Sequence, residues 1–158
     1  MQPFPHKIRV SIAAQRLDLL ELPGENVLAS FPVSTSGFGI GTEPGSNKTP
    51  TGRFAVAEKI GGDALLGTVF VGRVPTGELA PLESPGDPED RITTRILWLE
   101  GVEPHNANTR ERYIYLHGTN HEEQIGEPCS HGCVRMRNAD IAELFDRVEP
   151  GTEVTIEA

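Results

Sequence analysis

The sequence predicts a mostly β domain with one helix in its C-terminal half. Three observations predict it. Apolar residues alternate with polar ones in several short runs, Gly/Pro/Ser/Thr-rich segments separate those runs, and only the stretch 138–148 carries a helical apolar stripe. The 158 residues make one domain, 1–158, long enough to bury a core without disulfide or metal staples.

The first third reads as β. Ile8, Val10 and Ile12 alternate with polar residues, as do Val27, Ala29, Phe31 and Val33, and Arg16–Leu22 is a strand candidate between them. Pro23-Gly24-Glu25-Asn26 fits a hairpin turn. Residues 36–52, SGFGIGTEPGSNKTPTG, are too rich in Gly, Pro, Thr and Ser for anything but a loop. Further strand candidates are Phe54–Ile60, Thr68–Arg73, Arg95–Glu100, Arg112–His117 and Glu153–Ile156, and 75–91 reads as a second long loop, acidic and solvated. In the helix, Asn138 is placed to cap, Asp140 suits the first-turn dipole, and Ile141, Leu144, Phe145 and Val148 share one face that packs on the core. Pro150-Gly151 stops it. Trp98, in an apolar strand, reads as core.

Composition excludes some functions. A net charge of −9 with scattered Lys and Arg disfavours nucleic acid and anionic membrane as partners. No apolar run approaches the length of a membrane span. The opening MQPFPHKIRVSIAAQ has no apolar h-region, so the expected location is the cytoplasm, or the periplasm for a chain trimmed of its leader. Two cysteines do not make a disulfide framework.

The chemistry concentrates in residues 113–137, YIYLHGTNHEEQIGEPCSHGCVRMR, which hold His117, His121, His131, Cys129 and Cys133. His117 ends an alternating strand, and Cys133 follows Gly132 just before the helix. A free thiol has a pKa of about 8.5, so only a few per cent is thiolate at pH 7, and a neighbouring imidazole activates it by taking the proton. That pattern nominates Cys133 as nucleophile and His117 as base. Gly132 lets backbone approach a substrate carbonyl, and amides around it suit an oxyanion. His131 stands beside the nucleophile to orient substrate or complete the oxyanion site, and the planar fork of Arg135 suits a substrate carboxylate.

The string SHGCVRM, Ser130–Met136, with HGT at His117–Thr119 sixteen residues before the cysteine, resembles the active-site motif of the L,D-transpeptidase (YkuD-type) catalytic domain family. IRVSIAAQRLDLLEL resembles that family's first hairpin, FPVSTSG with KTPTGRF its strand and Pro-Thr-Gly loop, and EPGTEVTI its closing strand, so the likeness spans roughly residues 8–156. The resemblance implies a barrel-like β-sandwich with a short helix. It also implies a Cys133 thioester formed on a peptidoglycan stem peptide with release of terminal D-Ala. Cys133, His117 and His131 take the catalytic positions, Gly132 and Gly118 the backbone of the oxyanion site, and Ser130, Thr119 and Arg135 the substrate side. The partner it implies is a peptidoglycan tetrapeptide or muropeptide, and no metal or other cofactor. Without an export signal, water is the favoured acceptor, which makes the expected activity an L,D-carboxypeptidase of muropeptide recycling rather than a cross-linking transpeptidase.

Two alternatives use the same residues. His117-x3-His121 and Cys129-x3-Cys133 supply four ligands of zinc type, at imperfect spacing and leaving His131 and Arg135 idle. A non-catalytic wall-peptide binding module would not need an intact cysteine and histidine. Cys129 alone reads as a small buried hydrophobe, and His121, followed by two glutamates, as a surface residue. GFGIG at 37–41 precedes no helix and lacks a phosphate-loop lysine, and the His-before-Cys order speaks against a papain-type peptidase.

Overall fold

The computed structural model describes residues 5–158. Ten strands and one α-helix follow in the order β1 His6–Ser11, β2 Arg16–Glu21, β3 Asn26–Ser34, β4 Gly52–Ile60, β5 Thr68–Val71, β6 Val74–Leu79, β7 Ile92–Gly101, β8 Tyr115–Thr119, β9 Val134–Met136, α1 Asn138–Arg147 and β10 Glu153–Glu157. The mostly β prediction with one late helix is borne out.

The strands form one sheet in the order β4-β10-β1-β2-β3-β9-β8-β7-β5-β6, and β4 also pairs with β7. That extra pairing closes eight strands into a barrel and leaves the β5–β6 hairpin as a flap off β7. Two pairings are parallel, β1 with β10 and β8 with β9; the rest are antiparallel. A parallel pair needs a long crossover. For β8 and β9 that crossover is residues 120–133, the segment that carries Cys129, His131 and Cys133. The fold thus returns the cysteine beside the strand that holds the histidine.

The alternating runs do what their period dictates. Ile8 and Val10, Leu17 and Leu19, Phe31 and Val33, Phe54 and Val56 all turn inward, and Ile141, Leu144, Phe145 and Val148 join them in a single core cluster. Leu116 is fully buried in it, between its register partners Leu97 on β7 and Val134 on β9. Leu116→Ala is expected to cost about 2–5 kcal/mol, seen as a lower urea midpoint with an unchanged slope.

Several expectations are corrected. The 75–91 segment is not all loop, because its first five residues, 75–79, belong to β6, paired with β5. β8 begins three residues later than expected, because Tyr113 sits at φ 57° and the Arg112 amide turns back to the carbonyls of Asn108 and Thr109. β9 is an additional, three-residue strand, and β5 stops at Val71. Asn138 is the first helical residue rather than the cap. Its Nδ2 donates to Thr119 O and Glu122 Oε2, and its Oδ1 accepts from the hydroxyls of Thr93 and Thr94, so it rivets the helix start to β7 and β8. Trp98 is half-buried, not core. The guanidinium of Arg73 lies 4.6 Å and that of Arg110 4.9 Å from its ring centroid.

Candidate active site

Strands β7, β8 and β9 present two chemically distinct faces. Side chains alternate along a strand, and register partners point the same way. Leu97, Leu99, Leu116, Val134 and Met136 face the core. The opposite face carries Ile96, Trp98, Tyr115, His117 and Arg135, because Ile96 pairs with His117, Trp98 with Tyr115, and His117 with Arg135. Cys133 precedes Arg135 by two residues, so it falls on this second face, level with Tyr115 and packed against the Phe70–Ile96–Tyr115 cluster. One ladder step of two residues, about 6.6 Å along the strand, separates its level from that of His117.

The turn that delivers Cys133 is braced from inside. Ser130 Oγ donates to Cys133 O at 2.6 Å and accepts the Gly132 amide at 3.2 Å, while Thr49 Oγ1 donates to Gly132 O at 3.0 Å. Gly132 adopts φ +121°, where a side chain would be strained and would stand 3.3 Å from Lys48 O. The sulfur receives the Tyr115 amide at 3.3 Å and donates to Tyr113 O at 3.3 Å. Burial pushes the thiol up to about 12; the Tyr115 amide opposes that shift, Asp90 adds to it, and Arg112 and Arg135 offset part of it. The resting sulfur is therefore a thiol, not half of a preformed ion pair.

His117 is buried and its Nδ1 donates to Gly118 O. Burial lowers its pKa from the ordinary 6.5, against the opposing pull of Asp90 and of the Gly118 carbonyl. The ring is thus neutral at neutral pH, with the proton on Nδ1 and the lone pair on Nε2. No hydrogen bond joins this ring to the Cys133 sulfur in the resting arrangement; the thiol proton points to Tyr113 O.

The acidic 75–91 segment does more than meet solvent. Its end folds onto the site: Asp90 Oδ2 lies 3.3 Å from His131 Nδ1 and 3.3 Å from Arg135 Nη2. His121 secures this end from below, with Nε2 2.8 Å from Glu89 O and Nδ1 2.8 Å from Glu123 Oε2. His121 is therefore buried and engaged, not a surface residue. His131 is exposed and rests against the Phe38 ring at 5.7 Å between centroids.

The residues expected on the substrate side are bound up in the fold. Arg135 is 2% exposed and donates to Gln124 Oε1 at 2.6 Å and Cys129 O at 2.8 Å besides pairing with Asp90. Ser130 and Thr119 are buried; Ser130 braces the cysteine turn, while Thr119 accepts the His121 amide on Oγ1 and Asn138 Nδ2 on its carbonyl. Gly118 is buried in the ladder between Thr93 on β7 and Met136 on β9 rather than facing the cavity. A Cβ there would meet Asn138 Oδ1 at 2.6 Å and Thr93 O at 2.7 Å, so its glycine serves close packing, and its carbonyl holds His117. The zinc reading loses its geometry, because His121 is spent on Glu89 and Glu123, and among the described residues no three His, Cys, Asp or Glu side chains converge. Cys129 is half-buried and free, with its carbonyl on Arg135.

What opens to solvent at Cys133 is a cavity of about 250 Å³ whose wall includes Asn47, Glu111, Arg112, Tyr113 and His131. A second cavity, of about 530 Å³, lies beside the β5–β6 hairpin against Phe70 and Leu79 and does not touch the cysteine. Sequence reasoning missed Arg112, Tyr113, Tyr115 and Asp90. The first three lie just upstream of His117 in RERYIYLHG, and alternation alone places Tyr115 on the face of His117. Asp90 is 27 residues away along the chain, and nothing local announces its contact with His131.

The comparisons agree with this architecture. Residues 5–156 match the family model described as the L,D-transpeptidase catalytic domain, YkuD. The chain is 32% identical over 154 residues to the Escherichia coli protein named "Probable L,D-transpeptidase YcfS", covering 94% of this chain and 43% of that protein. It is 28% identical over 153 residues to Bacillus subtilis YkuD, covering 97% of this chain and 66% of that one. The chain thus spans less than two thirds of these relatives. In fold it resembles an L,D-transpeptidase from Mycobacterium smegmatis, with a TM-score of 0.59 at 20% identity over 98% of this chain and 59% of that one. It also resembles L,D-transpeptidase 3 from Mycobacterium tuberculosis, solved with a faropenem-derived adduct, with a TM-score of 0.58 at 18% identity over 98% of this chain and 60% of that one. A barrel that returns a turn-braced cysteine beside a buried histidine, together with a family match over nearly its whole length, makes this chain a member of the L,D-transpeptidase catalytic domain family.

Proposed function

We propose that the chain catalyses cysteine-dependent acyl transfer on peptidoglycan stem peptides, with Cys133 as nucleophile and His117 as general base. The observation that carries this reading is the shared face of β8 and β9. It sets a thiol and a neutral imidazole one ladder step apart, with the imidazole's acceptor nitrogen fixed as Nε2 by the Gly118 carbonyl.

The burial of His117 and the partial burial of Cys133 set the order of events. The thiol keeps its proton at rest, and the imidazole is neutral, so each partner starts in the form the reaction needs. Substrate entry displaces the thiol from Tyr113 O. The proton moves from Sγ to His117 Nε2 as the sulfur attacks the carbonyl before the terminal D-Ala. The C–N bond then breaks, Nε2 returns its proton to the departing amine, and a thioester remains on Cys133. Water or an amine next gives a proton to Nε2 and attacks the thioester, which releases the shortened peptide or a new amide. Cys133 regains the proton. The Gly132 amide is held by Ser130 Oγ, so within this reading the Cys133 amide is the better placed oxyanion donor.

The acceptor sorts transpeptidase from carboxypeptidase. Purified tetrapeptide incubated with the protein is expected to yield free D-Ala in step with loss of tetrapeptide, followed by chromatography and mass spectrometry. Tripeptide without dimer assigns water as acceptor, and dimer assigns an amine. Intact tetrapeptide, with no acyl-enzyme mass on Cys133, overturns the proposal.

A further inference from the structure

We propose that Arg112 is the specificity-determining cation of this site, holding the free carboxylate of the residue that departs from the stem peptide. The inference rests on the acyl-transfer reading above and deepens it. Removing a terminal residue requires the site to tell a chain end from a chain middle, and the chemical mark of that end is its carboxylate. That group lies one residue beyond the attacked carbonyl, about 3.3–3.6 Å of extended chain. Its counter-charge must therefore share the cavity into which Cys133 opens.

Among the described residues Arg112 is the only lysine or arginine on that cavity wall. The 36–52 loop holds the guanidinium in place: Nη1 donates to Gly41 O at 3.2 Å, and Nη2 to Lys48 O at 2.7 Å and Ser46 Oγ at 3.5 Å. All three acceptors are uncharged. A guanidinium has five N–H donors, so two remain for a ligand, one on Nε and one on Nη1, and either can give a charge-assisted hydrogen bond to a carboxylate oxygen. Most other arginines near the site are committed elsewhere. Arg135 is buried against Asp90, Gln124 and Cys129, Arg91 pairs with Glu78 and Glu89, and Arg110 with Glu58. Arg73 stacks on Trp98 and donates to the Tyr115 hydroxyl.

Glu111 lines the same wall and repels an anion, which leaves the Arg112 guanidinium as the charge there that attracts one. On the His131 side Asp90 already occupies the position of an anion and repels a second one. Burial lowers the Arg112 pKa, opposed by Glu43 and by Cys133, so the guanidinium is partly stripped of water while lacking an ion-pair partner. A substrate carboxylate would replace that lost hydration. The role that motif position suggested for Arg135 is thus one that Arg112 is free to fill.

Two tetrapeptides, one ending in D-Ala carboxylate and one in D-Ala carboxamide, test the assignment. The unaltered protein is expected to prefer the carboxylate in kcat/KM by at least tenfold, as for a charge-assisted hydrogen bond. In Arg112→Gln the carboxylate peptide is expected to lose about 10- to 100-fold, chiefly through KM, while the carboxamide peptide changes little, so the preference collapses toward one. Arg112→Lys is expected to restore part of it, and thermal melts of both variants check folding. An equal fall on both peptides assigns Arg112 to loop support alone and overturns the inference, as does a preference that survives in Arg112→Gln. Calorimetry on Cys133→Ala protein separates this from the reaction itself. Arg112-dependent binding that favours the carboxylate upholds the cation site even where no turnover occurs, and equal binding of both peptides overturns it.

Discussion

Cys133→Ala is expected to abolish release of D-Ala, with kcat falling roughly 10⁴- to 10⁶-fold and no acyl-enzyme mass appearing. The same variant carries a second signature that does not depend on the substrate. In the unfolded chain the thiol ionises near the free-thiol value of about 8.5, whereas in the folded protein it holds its proton until about 12. Between those values the unfolded state has lost a proton that the native state keeps. The native protein is therefore destabilised as pH rises above the lower value, by up to about 1.4 kcal/mol per pH unit. Cys133→Ala removes that slope. Urea unfolding at pH 8, 9 and 10 is expected to show a midpoint falling more steeply for the unaltered protein than for the variant. Parallel slopes would show that the sulfur is not held as a thiol, and retained turnover would end the nucleophile assignment.

His117→Gln is expected to lower kcat about 10²- to 10⁴-fold, the usual contribution of a positioned general base. The amide side chain can still reach Gly118 O but cannot accept the thiol proton. The pH dependence gives the sign. With His117 as the base, activity requires its neutral form, and burial moves its titration below 6.5, so kcat/KM of the unaltered protein is expected to fall only on the acid side of that value. Because the thiol is held up to about 12, no alkaline plateau from a preformed thiolate appears near pH 8.5. In His117→Gln the acid limb disappears and the residual rate climbs with hydroxide. A variant that keeps the acid limb would place the base elsewhere.

Much of this molecule is legible in its sequence because its physics is local. Alternation with period two lays out β1 to β4, β7 and β10, and Ile141, Leu144, Phe145 and Val148 announce the helix without help from the fold. The cysteine and its upstream histidine are legible for a different reason: a short string, SHGC, sits in a dense cluster of reactive side chains. What fails is what depends on distant chain. Strand β9 is three residues long, too short to show a period, and exists because β3 and β8 supply ladders on both sides. Asn138 looks like a cap until the hydroxyls of Thr93 and Thr94, more than forty residues upstream, claim its oxygen. Arg135 looks like a substrate ligand until Asp90 and Gln124 bury it. Local composition marks 75–91 as polar and acidic, and only the folded chain shows that Asp90 turns back onto His131.

The closure of β4 on β7 also fixes where this protein is open to its neighbours. With β4 joined to β7, the sheet's free margins among the described strands include residues 26–32 of β3, which pair with β2 alone, and, on the hairpin flap, the margin along β6. That margin is a poor template for a further strand. Pro75 lacks an amide, Gly77 at φ 86° twists the backbone off line, and the pairing with β5 slips register between Thr68 and Phe70. Val74 and Leu79 stand exposed on it without inviting chain-to-chain growth, so the flap can keep an apolar surface in a crowded solution without seeding aggregates.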